Sequence, residues 1–260
     1  MVMCRRFRQW PAILWFAKAT GTKMPVWLYL IRFYVEKVST RLWADQYCEN
    51  PEELKDYLEI EGLDSLKKSI KEGKGVILAG VHCGPPIAFF FFHEILNIDI
   101  KVLVEEGAQK GWENYRRFAA ESLISKKIRT LTAPGSSTTA SDDLKGFVRH
   151  LAGGGVLSIY PDVLGRGKSF GEVSFLSLTA CFSLFAFRLA LKHDAPLYFS
   201  LFTKRKGGGY RLRIVPCESF DTPEEGLRIY AAHFETELEK SPYRWLTLPS
   251  FLENYNKNQS

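Results

Sequence analysis

His82 and Asp162 are the residues whose type and position best suit chemistry. Val76-Ile-Leu-Ala-Gly-Val81 runs directly into His82, and Val156 to Tyr160 runs into Pro161-Asp162. Short apolar runs of this kind predict buried parallel strands. In open α/β sheets, ligands bind at the carboxyl ends of such strands. An imidazole at that place can act as a general base near neutral pH. The plainer alternative for His82 is a satisfied, partly buried histidine with no catalytic task. For Asp162 it is a loop aspartate capping local amides.

Cys83 adjoins His82, and a thiolate there can act as a covalent nucleophile. Neighbouring strand side chains point to opposite faces, so direct activation needs a turn at 82 to 84, which Gly84 allows. Otherwise Cys83 is a small apolar filler. Arg166 and Lys168, in a loop with Gly165 and Gly167, suit a phosphate group. They lack the GxxxxGK spacing of a nucleotide loop, and a solvated loop is the other reading. His93, His150, His193 and His233 show no ligand spacing, so the sequence supports no metal site.

The surrounding pattern supplies the elements that must position these residues. Charge at helical spacing over 51 to 73, with Leu54, Leu58, Leu63, Leu66 and Ile70 as its apolar stripe, predicts a helix. The strand Val76 to Val81 follows. Pro85-Pro86 can open a helix carrying Ile87 to Leu96. Ile100 to Val104 predicts a strand, Trp112 to Ser125 a helix and Ile128 to Leu131 another strand. Ala133 to Ser141 reads as a loop, Asp142 to Leu151 as a helix and Val156 to Tyr160 as the fourth strand. Val163 to Glu172 reads as a loop and Leu178 to His193 as one apolar helix. Leu197 to Thr203 and Tyr210 to Val215 read as strands joined by a basic glycine turn, before an amphipathic helix over Pro223 to Lys240. Alternating strands and helices followed by a late antiparallel pair predict a layered α/β domain, a mixed sheet flanked by helices. Residues 1–50 read as an appended helical arm and residues 51–260 as the main domain.

Composition narrows the class. The 260 residues are 46% hydrophobic and 25% charged, which excludes disorder and collagen-like repeats. The cysteines Cys4, Cys48, Cys83, Cys181 and Cys217 are odd in number and form no CxxC pair. A disulfide scaffold is therefore not expected, and a reducing compartment is. The net charge of +6 permits acidic partners. No segment reads as a clean membrane span. Arg5, Arg6 and Arg8 before Trp10, Ile13, Leu14, Trp15 and Phe16 suit a helix lying in a membrane interface; packing on the core is the alternative. Lys204, Arg205 and Lys206 form a basic hairpin tip suited to an acidic protein, or simply to water. No nucleic-acid motif accompanies these basic residues.

The block GVILAGVHCG at 75 to 84 resembles the histidine block of the bacterial lipid A biosynthesis acyltransferases, within the lysophospholipid acyltransferase superfamily. Asp143 to Gly146, Gly153 to Tyr160 and Pro161-Asp162 are similar to the family's third block. Phe175 to Ala195 resembles its following apolar stretch. Gly209 to Pro216 (GYRLRIVP) and Tyr243 to Leu246 (YRWL) are similar to its C-terminal strand and closing aromatic motif. Together these cover residues 50 to 250. The resemblance implies a lysophospholipid-acyltransferase-like fold. It also implies transfer of an acyl chain from an acyl carrier protein or coenzyme A thioester to a hydroxyl or amine, with no further cofactor. His82 would be the base.

The departures are specific. The family carries a carboxylate five residues after the histidine, where this chain has Ile87. Glu94, about 10 Å further along a helix, is badly placed to replace it. Asp162 is the better substitute, and an unsupported imidazole is the alternative. Glu105-Glu106 stand near where the family usually places an arginine, which argues against a phosphorylated sugar acceptor such as lipid A. The expected machinery is therefore His82 and Asp162 as catalytic groups. Cys83, Gly84 and Ile87 line the substrate, with amides of the Gly84 to Ile87 helix start on the oxyanion. Arg166 and Lys168 sit near a phosphopantetheine phosphate. The acceptor is a small molecule or lipid, and the place of action is the cytoplasm or the inner face of the cytoplasmic membrane. A catalytically degenerate acyl-chain or carrier-protein binding protein is one rival, and a thioesterase-like hydrolase is another.

Overall fold

The computed structural model describes residues 25–49, 57–84, 98–104, 137–163, 167–176, 178–239, 241–246 and 248. The expected helices over 87 to 96 and 112 to 125, the strand at 128 to 131, the arm before residue 25 and Glu105-Glu106 lie outside these residues. The described chain begins with helix α1 (Val26–Glu49). Strand β1 (Leu58–Glu61), helix α2 (Leu63–Lys71) and strand β2 (Val76–Gly80) follow. Then come β3 (Ile100–Val104), β4 (Ser137–Thr139), α3 (Ala140–Ala152) and β5 (Val156–Ile159). A hairpin of β6 (Phe170–Phe175) and β7 (Leu178–Ser183) precedes α4 (Phe185–His193). The chain continues through β8 (Leu197–Lys204), β9 (Tyr210–Pro216) and α5 (Pro223–Leu238), and then a 3-10 turn at Pro242–Arg244.

The architecture is α/β. A seven-stranded mixed sheet has the order β1-β9-β8-β2-β5-β3-β4, and β6 with β7 forms a separate two-stranded sheet. The pairs β2–β5, β2–β8, β3–β5 and β3–β4 are parallel, whereas β8–β9 is antiparallel. β1 then pairs parallel to β9. Central β2 and β5 are buried along their whole length, which is why their sequences are unbroken apolar runs rather than alternating ones. Among the described residues no helix is long and apolar enough to cross a membrane.

Four expectations are corrected. Leu178 to His193 is not one helix: residues 178–183 form β7, and the helix begins at Phe185. Burial alternates along β7, with Leu178, Ala180 and Phe182 inside. This period of two packs one face on the core and leaves Thr179, Cys181 and Ser183 on the other, which a helix cannot do. The expected loop up to Glu172 contributes its end, from Phe170, to the partner strand β6. Leu58 is not part of a helical stripe, because residues 58–61 pair with β9 and the helix starts only at Leu63. The Ala133 to Ser141 loop likewise contains an edge strand at Ser137–Thr139 beside β3.

The core joins β2, β5 and β8 to α3, α4, α5 and the hairpin, through Phe147, Leu151, Phe187, Tyr230 and Phe234. Helix α5 starts cleanly. Thr222 accepts a hydrogen bond from the Glu225 amide at 3.2 Å, and Pro223 occupies the first turn, where a missing N–H costs nothing. Helix α1 is held through Tyr29, Leu30, Phe33 and Glu36, all buried.

Candidate active site

Strand register makes the site. β2 and β5 pair in parallel with Val76 opposite Val156 and Ala79 opposite Ile159. His82 and Asp162 each lie three residues beyond that last pair, so both chains leave the sheet side by side at its carboxyl edge. The His82 Nδ1 atom is 2.8 Å from Asp162 Oδ1. The backbone N–H of His82 donates to Asp162 Oδ2 at 3.1 Å. The structure therefore joins the two expected catalytic groups directly.

Burial differs sharply across this pair. The His82 side chain is 34% exposed and that of Asp162 is 0% exposed. A carboxylate so deeply placed must be paired to remain ionised. Burial alone would raise its pKa. The His82 charge, with hydrogen bonds from the imidazole, the Trp245 indole and the His82 amide, outweighs it and holds the carboxyl below the usual range. The imidazole also packs on Tyr160, with ring centroids 4.6 Å apart. Burial, then the neighbouring Asp162 charge, pushes the Tyr160 hydroxyl up, so this ring is a neutral wall.

Trp245 is the functional residue that sequence reasoning left without a role. Its Nε1–H donates to Asp162 Oδ2 at 2.8 Å, and the residue is fully buried. The C-terminal segment that delivers it is stitched to the histidine turn. The Leu246 amide donates to the His82 carbonyl at 2.8 Å, and Cys83 pairs with Trp245 as an isolated antiparallel bridge. Phe175 and Phe182 of the hairpin pack edge-on against the indole. The Ser183 amide donates to the Pro161 carbonyl at 2.9 Å, which fixes the loop carrying Asp162. The YRWL motif was the available signal; its contact partner lies 83 residues away in sequence.

Cys83 is turned into the core, 6% exposed, with its thiol 3.1 Å from the Arg244 carbonyl oxygen. Burial pushes the thiol up to about 12, against the opposing pull of Arg244. It stays protonated and is poorly suited to covalent chemistry. Gly84 is required by its surroundings. Its φ is +82°, and a Cβ there would stand 2.5 Å from Phe202 Cβ. Lys168 lies on the exposed turn entering β6, where its carbonyl accepts from Arg188. Ile87 and Arg166 lie outside the described residues. At the hairpin tip, Lys204 and Arg205 are engaged with Glu36 and Glu59, and Lys206 is exposed. Among the described residues no cluster of three metal-type ligands forms.

This arrangement can take up a proton at the imidazole while a buried carboxylate holds the ring and its charge. No model of a known protein family matches the chain, and no curated protein is significantly similar to it.

Proposed function

We propose that the chain is an acyltransferase in which His82 is the general base and Asp162 its orienting partner. The observation that carries this reading is the 2.8 Å contact between His82 Nδ1 and Asp162 Oδ1 at the carboxyl ends of two adjacent parallel strands. Asp162 accepts from Nδ1–H and so fixes the tautomer in which Nε2 is the basic atom. It then stabilises the imidazolium that forms.

In this reading the donor is a thioester on an acyl carrier protein or coenzyme A, and the acceptor offers a hydroxyl or amine. Nε2 takes the acceptor's proton as its oxygen or nitrogen attacks the thioester carbonyl. The tetrahedral intermediate collapses by breaking the carbon–sulfur bond, and the departing thiolate takes the proton back from His82. Pro85 and Pro86 have no N–H, so of the expected oxyanion donors between 84 and 87 only the Gly84 and Ile87 amides can serve. The protonated Cys83 leaves a direct route without an acyl-enzyme.

The block resemblance supports the same class and a lysophospholipid-acyltransferase-like fold. The carboxylate, absent at Ile87, comes from the neighbouring strand instead. A hydrolase reading also draws support from the partly exposed imidazole, since water can occupy the acceptor's place. Product mass spectrometry, after mixed acyl thioesters are offered with an extract of hydroxyl and amine acceptors, tests the proposal. Acylated acceptor is the expected result. Free fatty acid alone would assign the hydrolase, and intact thioester would assign a binding protein.

A further inference from the structure

We propose that Tyr160 is a positioning residue for His82, its ring seated on Gly80 as a wall that keeps the imidazole on Asp162 with Nε2 turned to the acceptor. The inference rests on the reading of His82 as the base and adds a support for that base other than Asp162.

One hydrogen bond does not hold an imidazole still. The 2.8 Å contact with Asp162 fixes the Nδ1 atom. Rotation about the Cβ–Cγ bond of histidine is a broad torsion, so the ring can still rock about that contact. With its side chain 34% exposed, His82 is also open to water on part of its surface. Tyr160 restrains the rocking. The two ring centroids are 4.6 Å apart and the planes meet at 40°. Contacts between packed rings begin at about this distance, so the imidazole has no room to tilt further toward Tyr160.

Gly80 is the sequence feature that seats the wall. Gly80 and Tyr160 each follow the last register pair of β2 and β5, Ala79 with Ile159. Gly80 has no left-handed φ, so its backbone does not call for glycine. A Cβ there would stand 2.8 Å from Tyr160 Cε1, and the three nearest atoms all belong to that ring. Glycine inside a strand costs about 0.5–1 kcal/mol relative to alanine and marks a close approach of another group. Here the group is the tyrosine ring. The Gly80 peptide beneath it is itself fixed, because its carbonyl accepts from the buried Tyr230 hydroxyl at 2.8 Å. The far end of Tyr160 is pinned too. Its hydroxyl is hydrogen-bonded to the side chain of Ser158, which is buried two residues back on the same face of the chain.

An aromatic wall suits this place better than an aliphatic one. Its π face attracts the imidazolium that forms as His82 takes the acceptor's proton. Burial and the Asp162 charge keep the Tyr160 hydroxyl protonated, so it does not compete with Nε2 for that proton.

NMR of the full chain carrying 15N-labelled histidine tests the proposal without turnover. The His82 signals are those missing from His82→Ala. The parent should show one tautomer, protonated at Nδ1, with a sharp Nδ1–H proton. Tyr160→Leu should broaden or abolish that proton signal through exchange with water. It should also lower kcat for acylation about tenfold with KM near the parent value, since a displaced base costs rate rather than binding. Tyr160→Phe keeps the ring and should recover most of both losses. Gly80→Ala leaves Tyr160 in the chain but displaces its ring, so it should act as Tyr160→Leu does, and it serves alone if the leucine variant fails to fold. A parent without the sharp Nδ1–H signal, or an unchanged signal in folded Tyr160→Leu or Gly80→Ala, would overturn the proposal. So would a Tyr160→Phe variant as impaired as Tyr160→Leu, because the hydroxyl and not the ring would then be at work. A parent that acylates nothing would sink the acyl-transfer reading, whereas the imidazole signal would still decide the role of Tyr160.

Discussion

Asp162 is a carboxylate that stays ionised inside the protein with the help of His82 and Trp245. Its two oxygens accept from the His82 ring, the His82 amide and the Trp245 indole. Trp245→Phe keeps an aromatic ring but removes the N–H donor and leaves a void where the rest of the buried indole stood. It should cost at least about 1.5–3 kcal/mol of stability, the usual range for a hydrogen bond to a buried charge, with the void adding to that, and lower the rate by loosening the carboxylate. Urea unfolding beside a rate assay checks both. The depressed Asp162 pKa also carries a sign. Stability from the ionised form is complete above the ordinary carboxylate value and is lost as pH falls through the lower folded value. Asp162→Asn should therefore flatten the acid end of the stability–pH curve. At this scale the sequence was partly legible, because each of the two residues lies six beyond the first residue of an apolar run. Trp245 was not, because its role depends on a contact that no local pattern encodes.

The elements succeed or fail as supports. Gly84 lets the chain turn away from β2 beneath Phe202, and alanine would meet both a positive φ and a close contact. Gly84→Ala should cost about 1–3 kcal/mol and should lower the rate more than a comparable core substitution remote from the turn. Parallel unfolding and rate measurements separate the two effects. Phe182, on the hairpin strand overlooked in the sequence, packs on Trp245 and Tyr230. Phe182→Ala should destabilise by about 3–5 kcal/mol, the range for truncating a buried aromatic, which thermal melting would report. The strands before His82 and Asp162 were readable because buried parallel strands are continuous apolar runs. The hairpin was not, because its alternating Thr, Cys and Ser are uncharged and its sequence merges with the apolar start of α4.

At the scale of the whole molecule, the α/β class and the late antiparallel turn were legible from element order. Strand order was not. β8 inserts between β2 and β9, and β5 between β2 and β3, so the sheet interleaves segments far apart in sequence. That interleaving brings residues 82, 162 and 245 together, while α1 contacts the same C-terminal segment through Tyr243 and Arg244. Glu36→Ala should weaken that link. Losing a buried carboxylate beside Arg244 should lower the melting temperature and also the rate, whereas Ile31→Glu, at a site 51% exposed on α1, should do neither.

We propose a His82–Asp162 pair that transfers acyl groups. It is tested most directly by the rate of acceptor acylation from an acyl thioester with the parent chain, His82→Ala and Asp162→Asn, each shown to be folded by circular dichroism. His82→Ala should lose about a hundredfold or more, and Asp162→Asn should show a comparably large loss, as the imidazole loses its tautomer and charge partner. Undiminished acylation by folded His82→Ala would contradict it.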